Sequence, residues 1–399
     1  MKIVKTSEKL KGNICYFQSG GPTAVINSSY KGLLDAYKKL NSKKKFYVSQ
    51  YGIDGLIKGK LLDVSDFDDS KLNTRPGSTC GSLRLKLKKD DPNLDKIIKT
   101  IMKFDIRYLF ANGGNDSMDT CYKLSLLMKE KGYDCIVIGI PKTVDNDLPI
   151  TDHTPGYGSA AKYIANTIIE IAVDDLTYQK GRINIVECMG RDSGYLTASS
   201  SLASLRGVKP DYIYVPEVAF DLDKEVKKWE ATYDKKGRCL VVVSEGIRDA
   251  KGSLISASKV ADSFGNVQMG GVANYLSSIV TKDGYKSRGI ELSIPQRAGS
   301  ILLSKTDVKE AMEVGKYALT YALKGIDGVM VTIKRDSNSP YTISYGTCNL
   351  EEVGGKVTAL PVKYINKNQD NITPSFIDYV KPLIQGEIVS MDEDGLLIL

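Results

Sequence analysis

Two doubly wound α/β lobes with mostly parallel sheets are the fold this sequence predicts, on three observations. Strand-like apolar runs alternate with helix-like stretches almost throughout, as in doubly wound, Rossmann-like proteins. Several runs are unbroken Val, Ile, Tyr and Cys, the composition of strands covered on both faces. The runs at 14–17, 46–51, 108–111, 135–140, 183–188, 212–215, 240–244 and 328–333 are also numerous for one sheet. The expected site is therefore the cleft between two lobes.

The elements follow in order. The run 14–17 leads into Gln18-Ser19-Gly20-Gly21-Pro22-Thr23, which opens a helix over 24–39. Glycine permits positive φ and close backbone approach, and a helix N-terminus offers free N–H groups to an anion. The loop is neither a Walker loop nor the dinucleotide G-x-G-x-x-G, and by itself it is more often only a tight turn. The run 108–111 leads into Gly113-Gly114-Asn115-Asp116-Ser117 and a helix over 119–131, with Ser117 the expected N-cap. Two glycines and an acidic residue at a strand tip also suit phosphate with magnesium. The run 135–140 leads into Pro141-Lys142-Thr143-Val144-Asp145-Asn146-Asp147. Its two carboxylates stand two apart and point the same way in an extended chain, so one can take a proton while the other serves a metal. The bland alternative is a solvated turn, which three such loops in succession disfavour.

A Pro-, Gly- and Thr-rich stretch over 149–158 reads as a crossover, followed by a helix over 159–177. The run 183–188 leads into Met189-Gly190-Arg191-Asp192-Ser193-Gly194, which places Arg191 where a site belongs. Helical spacing recurs at Val308, Met312, Gly315, Leu319 and Ala322. A second crossing is expected near Pro295 and a third past residue 340. The boundaries are then 1–155 plus about 295–340 for one lobe, and 156–294 plus about 341–399 for the other.

Composition narrows the chemistry. The 399 residues are 42% hydrophobic and 26% charged, with net charge +7 from 55 basic and 48 acidic residues. That excess suits an anionic small substrate, and equally a solvated basic surface. The basic clusters at 43–45 and 84–89 lack the interleaved aromatics of single-strand binders, so nucleic acid is not an expected partner. Seven isolated cysteines with no C-x-x-C pair argue against zinc and disulfides. The lysine-rich N-terminus has no signal-peptide core, and no run reaches membrane-spanning length. A cytoplasmic setting is expected. The single histidine, His153, excludes multi-histidine metal sites and leaves proton transfer to a carboxylate; a loop or hinge role is expected for it.

Taken together these segments resemble the phosphofructokinase family. The match runs in order through GGPTAVIN at 20–27, GSLR at 81–84, GGNDS at 113–117, PKTVDND at 141–147, ECMGRDSG at 187–194, SEG at 244–246 and QRAG at 296–299. The resemblance implies transfer of a phosphoryl group to the 1-hydroxyl of fructose 6-phosphate, with Mg2+. Asp145 would be the base, Thr143 would position the reacting groups, and Asp147 would support the base and the metal region. Gly21, Arg84, Gly114, Asp116 and Lys142 would meet the donor. Met189, Gly190, Arg191 and Glu245 would line the sugar site, and Arg297 would hold the 6-phosphate. Arg182 and Arg288 would reach into a neighbouring subunit's sugar site, which implies a homodimer or homotetramer. The lobe beginning at residue 1 would take the donor and the other the sugar phosphate.

The pair Asp116 and Lys142 resembles the pyrophosphate-using branch; ATP users commonly have glycine at both places. An aspartate there puts bulk and charge where the α-phosphate of ATP would lie. Two like charges about 4 Å apart repel by roughly 4 kcal/mol at an effective dielectric of about 20. Lys142 offers a point charge to a small, highly charged donor. Two positions depart from the family pattern. Asn115 replaces the usual metal-binding aspartate, although its carbonyl still suits magnesium, which needs few protein ligands; Asn115 and Asp116 are the expected metal residues. Ile294 and Pro295 stand where many ATP users carry a histidine.

Overall fold

The computed structural model of the chain describes residues 11–88, 90–255 and 271–399; residues 1–10 and Lys89, the end of the second basic cluster, lie outside the described residues. Strands β1 (Asn13–Gln18), β2 (Phe46–Ser49), β3 (Leu61–Asp63), β4 (Ile106–Gly113) and β5 (Ile136–Pro141) lie in one sheet. Strands β6 (Ile183–Cys188), β7 (Tyr212–Tyr214), β8 (Cys239–Ser244) and β9 (Ser287–Glu291) form a second. Strands β10 (Val329–Asn338) and β11 (Tyr341–Asn349) return to the first.

The larger sheet has the order β11-β10-β5-β4-β1-β2-β3. Its five inner strands are parallel, and β3 and β11 close the edges antiparallel. The smaller sheet, β7-β8-β6-β9, is parallel throughout. The unbroken apolar runs mark the inner strands: β6 is buried at every residue and β1 at all but its first. The edge strands β3, β9 and β11 carry no such signature. β11 alternates partly buried and exposed residues along much of its length, so its Thr, Ser and Tyr do not read as a core run.

Strand β11 moves one expected boundary. It folds back on β10, with Asn338 opposite Tyr341 and Val329 opposite Asn349, so residues 341–349 belong to the larger sheet. The crossing expected at 340 falls after Asn349. Beyond it, Leu360, Tyr364, Phe376 and Tyr379 join the apolar cluster of Val186, Cys188 and Ile213 in the smaller sheet. The crossover expected at 149–158 leads into helix Tyr157–Leu176, whose buried face belongs to that same cluster. The seven cysteines are free, and all but Cys80 are buried as small apolar groups.

Helix Ile26–Lys38 covers the larger sheet against helix Lys305–Leu323. The two backbones approach at Gly32 and Gly315. A Cβ on Gly315 would overlap the Ser29 carbonyl, and one on Gly32 the Met312 carbonyl. Gly315→Ala therefore separates two effects of opposite sign. Helix propensity alone favours alanine by about 1 kcal/mol, whereas overpacking costs about 1–3 kcal/mol. The expected outcome is a lower thermal midpoint; a higher one would show that the helices separate without cost.

Candidate active site

The C-terminal tips of the parallel strands carry most of the loops singled out in the sequence; the Arg84 segment at 81–84 joins them from beyond edge strand β3. In the larger sheet β1, β4 and β5 are neighbours, and their tips are level: Gln18 pairs with Asn112, and Gly113 with Pro141. Residues 18–23, 113–117 and 141–147 therefore emerge side by side. In the smaller sheet β8, β6 and β9 are neighbours, which brings together residues 189–194, 244–246 and 292–297.

Buried amides shape the first loop. Gln18 Nε2 donates to Tyr16 Oη and Asn27 Oδ1, both at 3.2 Å, and Asn112 Nδ2 to Tyr16 Oη at 2.9 Å. Asn27 Nδ2 donates to the carbonyls of Arg75 at 3.0 Å and Gly77 at 2.8 Å. This ties the 75–79 segment beneath the loop. The chain beyond it runs alongside β1, where Ser82 Oγ donates to the Gly20 carbonyl at 2.6 Å. Arg84 is thereby carried to Gly21. A Cβ on Gly21 would lie 2.8 Å from the Arg297 guanidinium and 3.0 Å from that of Arg84, so the glycine is there for close approach.

Lys142 joins the two arginines. It is buried, its backbone N–H donates to the Gly113 carbonyl at 3.1 Å, and Nζ donates to the Gly21 carbonyl at 2.9 Å. Burial and the neighbouring charges of Arg84 and Arg297 push its pKa down to about 7, against the pull of Asp145 and Asp147. Arg297 is also lowered, by burial first and then by Arg84. Its Nε is buried and makes no hydrogen bond among the described residues. Three cations with an unsatisfied donor form a cradle for a polyanion.

Burial alternates along this loop: Thr143, Asp145 and Asp147 are partly exposed, while Lys142, Val144, Asn146 and Leu148 are buried. The extended run expected here is interrupted at Asn146, whose φ is +56°. The Asp145 N–H donates to Thr143 Oγ1 at 3.1 Å. Burial raises the Asp145 carboxyl, opposed by Lys142, Arg84 and Arg297. Burial and the Asp145 charge raise Asp147 to about 7. Two buried carboxyls raised above their usual range, one of them by the charge of the other, are suited to proton transfer.

The smaller sheet supplies the opposite wall. Glu245 Oε1 accepts from the Gly190 N–H at 3.1 Å, and Ser244 Oγ donates to the Gly190 carbonyl at 2.6 Å. Gly190 has φ of +126°, and a side chain there would overlap the Ser193 carbonyl. The Met189 N–H donates to Gln296 Oε1 at 3.0 Å, so Gln296 fixes the turn that precedes Arg297 against the β6 tip. Glu245 is raised by burial and by Asp145, and drawn down by the Gly190 N–H, Arg191 and Arg297. These mutual influences join the walls: Arg297 and Glu245 from one meet Asp145 from the other.

Several expected residues stand elsewhere. Asp116 is exposed at the rim, paired with Lys86 at 3.2 Å. Asn115 Oδ1 accepts from the Asp116 N–H at 2.9 Å. The helix Asn115–Glu130 is capped by Gly114, not by Ser117, which is buried in its first turn. A side chain on Gly113 would overlap Ser117, so the serine fills the space behind that glycine. Arg182 precedes β6, and Arg288 lies early in β9 opposite Asn184. Both therefore sit at the far end of the smaller sheet from the β6 tip, outside this chain's own cluster.

A family model described as Phosphofructokinase matches residues 13–330. The chain belongs to the phosphofructokinase family. A pyrophosphate–fructose 6-phosphate 1-phosphotransferase of Halomonas elongata is 39% identical over 96% of this chain and 94% of its own. An ATP-dependent 6-phosphofructokinase of Actinobacillus pleuropneumoniae is 30% identical over 81% and 89%. The crystal structure of a pyrophosphate-dependent phosphofructokinase from Marinobacter aquaeolei superposes with a TM-score of 0.87 at 37% identity, covering 97% of this chain and 95% of that one.

Sequence reasoning missed the pairing of Lys86 with Asp116 and the anchoring roles of Gln296 and Asn146. Gln296 lay in a quoted motif beside the arginine. Asn146 stood between two aspartates that drew attention from it, although an Asx residue in a turn is itself a signal.

The depressed Lys142 predicts proton uptake when an anion binds. Near its folded pKa of about 7 the lysine is partly neutral, and an anion favours the charged form. Titrating the protein with sulfate, which does not itself titrate, at pH 8 in buffers of different ionisation enthalpy should show protons taken up. Lys142→Met should abolish most of that uptake. Equal uptake by both proteins would remove Lys142 from the anion site.

Proposed function

We propose that the chain transfers a phosphoryl group reversibly between pyrophosphate and the 1-hydroxyl of fructose 6-phosphate, giving fructose 1,6-bisphosphate and phosphate. The observation that carries this reading is the meeting of Lys142, Arg84 and Arg297 with the Asp145–Asp147 pair at one point between the sheets. Phosphoryl transfer depends chiefly on positioning and charge neutralisation, and the cluster supplies both.

Gly21, Arg84 and Lys142 take the donor. Asp145 accepts the proton of the attacking hydroxyl, and Thr143 orients the reacting groups. Met189, Gly190, Arg191 and Glu245 line the sugar site. Arg297, reaching from the sugar side to Gly21, offsets charge on the phosphate groups between the two substrates. Among the described residues no group of three or more His, Cys, Asp or Glu side chains is arranged to hold a metal ion. Magnesium needs only one or two protein carboxylates and draws its other ligands from substrate phosphates. Asp147 is the carboxylate best placed to hold it, with Asp116 and Asn115 at the rim. When bound, magnesium supplies positive charge against the pyrophosphate oxygens.

Pyrophosphate is favoured over ATP by Asp116 and Lys142 together, in line with the greater identity to the pyrophosphate-named relative. The Lys86–Asp116 pair adds bulk at the rim, so exclusion of a nucleotide rests on shape as well as charge. Arg182 and Arg288 complete the sugar site of a neighbouring subunit in a homodimer or homotetramer. No described helix is long and apolar enough to cross a membrane; the cytoplasmic setting is proposed from the seven free cysteines.

Asp145→Asn should lower kcat at least 100-fold, the low end of general-base contributions being about 10², with a smaller change in KM. Unchanged kcat in steady-state assay would end the assignment of the base. Wild type should prefer pyrophosphate to ATP by more than about tenfold, since ~1.4 kcal/mol suffices for that. Asp116→Gly with Lys142→Gly should raise the ATP rate relative to the pyrophosphate rate. A wild type that uses both donors equally well would refute this account of donor choice.

A further inference from the structure

The loop bearing Asp145 and Asp147 is anchored from behind by a side chain the chemistry does not use. Asn146 has φ of +56°, and its side chain is buried, turned away from the two aspartates that flank it. Oδ1 accepts from the Thr154 N–H at 2.9 Å, and Nδ2 donates to Tyr379 Oη at 2.8 Å. Tyr379 Oη in turn donates to the Asp152 carbonyl at 2.8 Å. The phenol thus spans the catalytic loop and the crossover that follows it, from helix Pro374–Val380, far away in sequence.

A charged cluster holds Tyr379 in place. Asp152 Oδ2 faces His153 Nδ1 at 2.7 Å and accepts from Arg335 at 2.8 and 3.1 Å. His153 Nε2 faces Glu310 Oε2 at 2.6 Å, so both ring nitrogens meet carboxylates and both must donate. Tyr341 Oη donates to Glu310 Oε1 at 2.8 Å. Arg335 also donates to the Tyr379 carbonyl at 2.7 Å and lies over the Tyr379 ring at 4.5 Å. With the histidine protonated, two cations balance two carboxylates. Four segments meet here: the crossover, helix Lys305–Leu323, the β10–β11 hairpin and helix Pro374–Val380. His153 lies in the crossover loop and is the buried centre of this cluster.

We propose that Asn146 and Tyr379 are positioning residues for the reaction: the Asp152–His153–Glu310–Arg335 cluster fixes Tyr379, Tyr379 grips Asn146, and Asn146 sets the directions of Asp145 and Asp147. This rests on the reading of Asp145 as the base. A backbone that places Asp145 and Asp147 through one shared anchor loses both orientations when the anchor goes, and misplacement by ~1 Å can cost about 10²-fold in rate.

The test is a double-mutant cycle in the full chain. Tyr379→Phe keeps the ring and removes the hydroxyl. Asn146→Gly keeps access to positive φ and removes the amide. Each should lower kcat about tenfold or more with KM for both substrates within about threefold, and the double variant should lose no more than the worse single one. Tyr364→Phe, on a ring packed 5.7 Å from that of Tyr379, should leave kcat unchanged. Additive losses, an equal loss in Tyr364→Phe, or wild-type kcat in Tyr379→Phe would overturn the proposal. Asp145→Asn, run alongside, separates the two levels: if it alone loses activity, the base stands and the anchor falls; if it retains activity, the base itself is wrong.

Discussion

Lys142, Arg84 and Arg297 repel one another, yet the fold brings all three to Gly21. Two unit charges ~6 Å apart at an effective dielectric of about 20 repel by roughly 3 kcal/mol, and the depressed Lys142 and Arg297 register that repulsion together with burial. Asp145 and Asp147 offset part of it and are themselves held above the usual carboxylate range. Such an arrangement is most stable when a polyanion lies among the cations. The protein is built around a charge imbalance that its substrate corrects, and loop shapes, glycine positions and buried amides follow from that requirement.

The two sheets solve one geometric problem twice. Each presents the tips of three adjacent parallel strands, with glycine at the places where backbone must approach closely. The sheets differ in what secures the tips. In the larger sheet Gln18, Asn27 and Asn112 form a buried amide network; in the smaller sheet Glu245 and Gln296 grip the backbone of Met189 and Gly190. Contact between the two sets passes chiefly through Arg297, rooted beside β9 and reaching Gly21. A residue read as holding one end of the sugar phosphate therefore also stands beside the donor loop.

Much of this was legible in the sequence because inner parallel strands are buried on both faces and read as unbroken apolar runs. The loops at their tips followed from glycine and acidic residues placed directly after those runs. Not every edge strand was legible: β7 was read at 212–215, but β11 alternates in exposure and β9 is only partly covered, so neither of these shows a core signature. The N-cap was misassigned to Ser117 because serine is a common cap, whereas here the helix starts at Asn115 and the serine packs behind Gly113. The Asp116–Lys86 pair and the anchorage of Asn146 by Tyr379 depend on residues 30 and 233 positions apart, contacts that no local pattern encodes.

The claim on which the rest turns is that the cations around Gly21 form the donor site. A crystal structure of the protein with pyrophosphate and magnesium tests it most directly. The account predicts the diphosphate between Arg84, Lys142 and the Gly21 backbone, with Lys142 Nζ drawn from the Gly21 carbonyl onto phosphate oxygen and Arg297 Nε or its guanidinium partnered. A diphosphate bound elsewhere, with Lys142 still on that carbonyl, would contradict it.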